Sequence, residues 1–165
     1  MVPPVLIPLV LLLASAPSNP PGAIEIRPGL FVVLGTPGPA TFAGLKAAGV
    51  THVLNLRREG EADPSGDRAA AEAAGADYGR CPMDREPGDA ALDAFRRRMK
   101  ALPKEARVLV HCASGNRVAG ALFAFWVLDQ GLEEARALEL ARRAGLSNPA
   151  TERAVKAYVA RLKGR

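Results

Sequence analysis

From residue 23 onward the apolar positions fall into short runs and helical spacings that alternate along the chain. Residues 24–27 alternate apolar and charged, and 30–34 is a continuous apolar run beyond Pro28 and Gly29, so the two predict a short hairpin. A Gly- and Pro-rich loop over 35–39 leads to a helix opened by Pro39 or Ala40, with Phe42 and Leu45 on one face and Gly49 at its end. Residues 51–56 read as a strand, 57–67 as a polar loop, and the alanine-rich stretch to about Ala74 as a helix ended by Gly75. A short strand over 77–81 is closed by Pro82. From Asp89, in an N-cap position, Leu92, Phe95, Met99 and Leu102 recur three and four residues apart, which puts one helix face in the core and leaves Arg96, Arg97, Arg98 and Lys100 as a solvated face. Val108 to Val110 is a buried strand rich in β-branched residues, and the residues after Arg117 are apolar on almost every side, as in a buried helix. Two amphipathic helices follow, 133–144 and 149–162, the second capped by Asn148 with Pro149 in its first turn. This alternation predicts an α/β fold, a central, mostly parallel sheet flanked by helices, with functional loops at the carboxyl ends of its strands.

The start of the chain has a different character. Residues 5–14 are apolar apart from Pro8 and too few to span a bilayer, and Ala14-Ser15-Ala16 has the small residues of a cleavage site, so 1–16 reads as a secretory signal peptide. Residues 17–22 read as a linker and 23–165 as one domain, long enough to bury a core. So read, the protein is exported to the periplasm; without cleavage or export it is cytoplasmic, or touches a membrane only through this segment.

Composition narrows the partners. The 165 residues carry 22 Lys and Arg against 17 Asp and Glu, a net charge of +5 that is scattered along the chain and favours anionic substrates. Aromatics are only 5% of the residues, no basic stretch is interleaved with them, and no groove-reading helix is evident, which argues against nucleic acid. Two cysteines and two histidines without Cys-x-x-Cys or helically spaced His argue against a structural metal, and no cofactor is expected.

The candidate chemistry sits between the apolar strand and the buried helix, in His111-Cys112-Ala113-Ser114-Gly115-Asn116-Arg117. A helix entrance presents unpaired N–H groups and a positive dipole end, which suit a phosphate or similar oxyanion. Cysteine attacks as its thiolate, a form favoured by a helix N-terminus and a nearby cation, so Cys112 is the candidate nucleophile. Arg117 offers a planar fork for two phosphoryl oxygens, and Gly115 lets the N–H groups of residues 113–117 curl towards one centre.

At these residues the sequence resembles the cysteine-dependent protein tyrosine and dual-specificity phosphatase superfamily, and more closely its bacterial β-lactamase hydrolase-like phosphatase family (DUF442). The resemblance runs from about Ile24 to Trp126 and includes 49–57 (Gly-Val-Thr-His-Val-Leu-Asn-Leu-Arg), Gly60-Glu61, 82–87 (Pro-Met-Asp-Arg-Glu-Pro) and the cysteine loop. It implies a protein tyrosine phosphatase-like α/β fold and hydrolysis of phosphate monoesters on small molecules or phosphoproteins through a phospho-cysteine. Two departures stand out. The tyrosine and dual-specificity enzymes have one residue more between Cys and Arg than the four here, Ala113 to Asn116, and they usually follow the Arg with Ser or Thr where this chain has Val118. The shorter loop is also that of rhodaneses, so a sulfurtransferase with Cys112 as persulfide carrier is the alternative. His111 before the cysteine and the lack of a rhodanese-like Gly-His-Ile-Pro-Gly-Ala stretch favour phosphoryl transfer. A third reading is a phosphate-binding module without turnover, for which Val118 speaks.

The leaving group needs a proton, and related phosphatases carry the acid on a loop upstream of the cysteine. Asp84, twenty-eight residues before Cys112 between two prolines, is the first candidate, ahead of Asp89, whose place at a helix start already explains it, and of Glu86 as the third. His111 either orients and tunes the thiolate through a hydrogen bond or is a buried histidine satisfied by backbone. Asn116 caps the helix, contacts substrate, or both. Arg57, just past a strand end, is a second phosphate contact or a surface salt bridge. Cys81 either packs in the core or, if the strand ends are adjacent, pairs with Cys112 under oxidation.

Overall fold

The computed structural model describes residues 18–164; the signal-peptide segment lies outside the described residues. Among the described residues five strands and six helices follow one another as β1 (Ala23–Arg27), β2 (Leu30–Val33), α1 (Pro39–Ala43), β3 (His52–Asn55), α2 (Ser65–Ala73), β4 (Asp77–Arg80), α3 (Asp89–Lys100), β5 (Val108–His111), α4 (Asn116–Leu128), α5 (Glu134–Arg143) and α6 (Pro149–Lys163). The strands form one sheet in the order β1-β2-β5-β3-β4. Only the β1–β2 hairpin is antiparallel, its strands joined through Pro28-Gly29; β2, β5, β3 and β4 are parallel.

The register decides where function can gather. Val33 and Asn55 both stand opposite His111, and Arg80 stands opposite Asn55, so four parallel strands end level with one another. The loops that follow β2, β3, β4 and β5 therefore open on one edge, with β5 and its cysteine in the middle. Alternation along β5 sends Val108 and Val110 into the core beneath α3, α4 and α6, and Leu109 into a second cluster with Phe31, Val33, Phe42 and Val53 on the α1–α2 side. Both faces are covered, which is why these strands read as continuous apolar runs. Helix α4 is buried along nearly its whole length, from Arg117 to Val127, because α3, α5 and α6 pack around it.

Several local expectations need correction. Strand β2 ends at Val33, and Leu34, read as strand, is 48% exposed. Helix α2 begins at Ser65, so Asp67, read as loop, is helical. The cap of α3 is Gly88 and not Asp89, whose carboxylate meets Arg161 at 2.5 Å. Arg96 leaves the solvated face: its Nε and Nη2 donate to the Asp129 carboxylate at 2.6 and 3.0 Å, and Nη1 donates to the Tyr158 hydroxyl at 2.7 Å. It lies close enough to the apolar stripe of α3 to reach the end of α4 and the side of α6. Asn148 caps α6 as expected, its side chain accepting from the N–H groups of Ala150 and Thr151.

Candidate active site

The chain leaves β5 at His111, turns through Cys112-Ala113-Ser114-Gly115, and enters α4 at Asn116. Gly115 makes the turn. Its φ of 81° is in the left-handed region, its N–H donates to the Cys112 sulfur at 3.2 Å, and the space a Cβ would need is filled by the Ala144 carbonyl at 3.1 Å and the Gly145 Cα at 3.4 Å. Cys112 itself is fully buried at the base of the loop.

Arg117, one residue into α4, is gripped from the far side. Its Nη1 and Nη2 donate to the two carboxylate oxygens of Glu61 at 2.5 and 2.6 Å, and Nη1 also donates to the Met83 carbonyl at 3.3 Å. Of the five N–H donors of a guanidinium, these bonds engage three, both on Nη1 and one on Nη2, so the side-on fork of Nε and Nη2 is left to receive an oxyanion. The Arg117 hydrogen bonds hold the Glu61 carboxyl down at about 2 against the opposing effect of burial, and Glu61 in turn holds the guanidinium above its usual range. Both partners therefore stay charged at any working pH. Glu61 is the functional residue that residue-by-residue reading missed; the signal for it was the Gly60-Glu61 stretch in a polar loop following a strand that ends beside the cysteine.

Above the loop opens a cleft of about 670 Å³ lined by Ala113, Ser114, Asn116 and Arg117 and by Arg58, Glu61, Asp84, Arg85 and Glu86 from the neighbouring loops. Asp84 is exposed on its rim. The backbone on either side of it is tethered, the Met83 carbonyl by Arg117 and the Arg85 carbonyl by the buried Thr151 hydroxyl of α6 at 2.7 Å. Glu86 shares the rim, whereas Asp89 is in α3, outside the lining and paired with Arg161. Among the described residues no group of three His, Cys, Asp or Glu side chains is arranged to hold a metal ion.

Other candidates fall elsewhere. His111 is fully buried, and neither ring nitrogen has a hydrogen-bond partner among the described residues; strand alternation turns it to the α1–α2 side, edge-on to Phe42 with ring centroids 6.4 Å apart, so it makes no bond to the Cys112 sulfur. Arg57 is neither a phosphate contact nor a surface ion pair: it is buried, with Nη1 3.1 Å from Asp67, whose carboxylate stands 4.0 Å from the His111 ring. Asn116 lines the cleft, but its Oδ1 accepts from the N–H groups of Ser147 and Asn148 at 2.8 and 2.7 Å, so it ties α4 to the start of α6 and does not cap its own helix. Cys81 and Cys112 are both free and buried. They follow β4 and β5, which β3 separates; two strand spacings amount to about 9.6 Å, beyond the roughly 7 Å that a disulfide tolerates between Cα atoms. The proposed disulfide is thereby ruled out, and Cys81 packs in the core.

Burial first, and the Arg57 charge second, push the His111 ring down to about 3. The native state thus keeps His111 neutral while the unfolded chain takes up a proton below about 6.5, so stability is full above that pH and is lost as the pH falls towards 3. The slope from this group approaches about 1.4 kcal/mol per pH unit. Urea unfolding at pH 7.5, 6 and 5 is expected to show a steeper loss for the wild type than for His111→Gln; parallel slopes would mean that His111 is not buried neutral.

No family model matches the sequence, and no curated protein matches it. Solved structures do. A DUF442 protein of Shewanella putrefaciens CN-32, described as a candidate phosphatase, is 25% identical with a TM-score of 0.67, over 85% of this chain and 92% of that one. P. aeruginosa TpbA in complex with pTyr is 24% identical with a TM-score of 0.65, over 84% of this chain and 82% of its own. PTPMT1 in complex with PI(5)P is 17% identical with a TM-score of 0.67, over 87% and 98%. With the mixed sheet, the loop at the end of its central strand and the arginine opening the following helix, these likenesses give the chain a protein tyrosine phosphatase-like fold, similar to that of cysteine-dependent phosphatases. Among these, the resemblance to the DUF442 branch read from residues 49–61, 82–87 and 111–117 agrees with the Shewanella structure.

Proposed function

We propose that the protein is a cysteine-dependent phosphatase that hydrolyses phosphate monoesters. The observation that carries this reading is the pairing of a buried cysteine at the base of a helix-entrance loop with an arginine that lines the cleft and whose end-on N–H groups are fixed by Glu61. In the first step the Cys112 sulfur attacks phosphorus, the S–P bond forms and the P–O bond to the alcohol breaks. The Arg117 fork and the loop N–H groups hold the three equatorial oxygens. The leaving oxygen takes its proton from Asp84, whose tethered loop brings a carboxyl to the rim of the cleft; Glu86 is the other carboxyl within that rim. In the second step water attacks phosphorus and gives a proton to the Asp84 carboxylate, the S–P bond breaks, and the thiolate returns with release of phosphate.

Position 118 sets the relation of the two steps. Val118 is fully buried among apolar side chains and has no hydroxyl to assist the departing thiolate. Unless the hydroxyl of Ser114, which lines the cleft, takes that part, breakdown of the phospho-cysteine is expected to be slower than its formation, and stopped-flow release of para-nitrophenol should begin with a burst close to one equivalent of enzyme. A linear onset at high enzyme concentration would show that dephosphorylation is not limiting.

The four-residue loop is the one feature that favours sulfur chemistry, so the test is paired. Wild type and Cys112→Ser are offered para-nitrophenyl phosphate in one set and thiosulfate with cyanide in the other. Cysteine-dependent phosphate release without thiocyanate is expected; thiocyanate alone would make the chain a sulfurtransferase and remove the role given to Asp84.

A further inference from the structure

The aromatic side chains and the rim of the cleft together say what kind of ester fits. The chain has five Phe, two Tyr and one Trp, and all eight are buried, Tyr78 being the most exposed at 8%. None is left to stand beside a substrate, and none lines the cleft. Among the described residues no large aliphatic side chain lines it either, and its carbon surface comes mainly from the stems of charged side chains. Its one apolar side chain is the methyl of Ala113, and the exposed large hydrophobics among the described residues, Ile24 and Leu34, lie outside it.

What the rim does offer is charge of both signs. Arg58 and Arg85 donate, Glu86 accepts, Asp84 adds the carboxyl that serves the leaving oxygen, and the backbone that carries them is pinned, Arg58 by its N–H to Glu61 at 3.1 Å and Arg85 by its carbonyl to Thr151. An aryl ring placed here would strip water from two guanidinium and two carboxyl groups and give them no hydrogen bonds in return. Against that it could lie on the aliphatic stems of the arginines or stack on their guanidinium groups, attractions that are weak at an exposed site. A hydroxyl both donates and accepts, so an alcohol with several of them can satisfy the carboxyl and guanidinium groups together through charge-assisted bonds. The cleft is also far larger than a lone phosphate needs.

We propose that the site selects phosphate monoesters of polyhydroxylated aliphatic alcohols, that is sugar or polyol phosphates, over aryl phosphates such as phosphotyrosine. This rests on the phosphatase reading above and adds to it the class of alcohol. Arg58, Arg85, Asp84 and Glu86 are the specificity-determining residues.

The experiment is calorimetric titration of the full chain carrying Cys112→Ser with glucose phosphate, inositol monophosphate, phosphotyrosine, a phosphoserine peptide and inorganic phosphate. Affinity is used because aryl esters react faster for reasons of leaving group alone. The sugar and polyol phosphates should bind about tenfold or more tighter than either phosphotyrosine or inorganic phosphate, and Arg85→Ala in the same background should remove most of that advantage. Phosphotyrosine binding as tightly as they do, a phosphoserine peptide binding tighter, or all the esters matching inorganic phosphate would each overturn the proposal. Failure of the phosphatase reading shows separately, as the absence of Cys112-dependent phosphate release from any ester by the wild type.

Discussion

Arg117→Lys is expected to lower kcat/KM towards para-nitrophenyl phosphate by about a thousandfold or more, which corresponds to about 4 kcal/mol of transition-state stabilisation. The charge is kept, so the loss isolates geometry. The arginine reaches Glu61 with one edge and leaves a planar Nε and Nη2 fork for two phosphoryl oxygens. A lysine has one ammonium for both tasks, and the carboxylate at the back of the site competes with the phosphate for it. Glu61→Ala makes the complementary test: it leaves the guanidinium charged but unanchored, and a smaller loss, about tenfold to a hundredfold, should fall on kcat more than on KM. A lysine variant with near wild-type kcat/KM would mean that charge alone does the work and that the fork has been assigned wrongly.

Gly115→Ala is expected to cost about 2–4 kcal/mol of stability and to reduce activity by more than a hundredfold in the folded fraction. Two separate penalties meet there. The backbone at φ 81° is a conformation that an L side chain adopts only under strain, and the new methyl would sit 3.1 Å from the Ala144 carbonyl and 3.4 Å from the Gly145 Cα, both backbone atoms that cannot swing aside. Relief requires the loop to rotate, which carries the Gly115 N–H off the Cys112 sulfur and spoils the cradle. Chemical denaturation gives the first number and turnover per folded molecule the second. A folded, stable variant with unchanged turnover would show that the loop does not need this turn.

The two ends of the site differed in how far they could be read from the sequence. Cys112, Gly115 and Arg117 are joined by local structure, a strand, a turn and the first helical turn, and short-range patterns carry that information. Glu61 reaches Arg117 across 56 residues of chain, and only the parallel register of β3 with β5 brings its loop to the same edge. The buried Arg57 and its half-buried partner Asp67 went unrecognised for a related reason, whereas burial of His111 was one of the two readings the sequence offered. Charged residues in a Gly-rich stretch read as solvated loop, yet α2 starts early enough to lower Asp67 onto the end of β3. Cys81 fails as a partner of Cys112 because β3 is inserted between their strands, an ordering that alternation of strands and helices leaves open. The apolar pattern did carry the architecture, since strands buried on both faces and a helix buried all round leave few other arrangements.

The most direct test of the central claim is to trap the covalent intermediate. Wild-type enzyme mixed with excess para-nitrophenyl phosphate, quenched in acid within the burst and digested for mass spectrometry, should carry one phosphate on the peptide containing Cys112, and Cys112→Ser should carry none. A persulfide on Cys112 after thiosulfate, with no phosphate on it under any quench time while the wild type still turns over, would contradict the phospho-cysteine mechanism and give the site to sulfur.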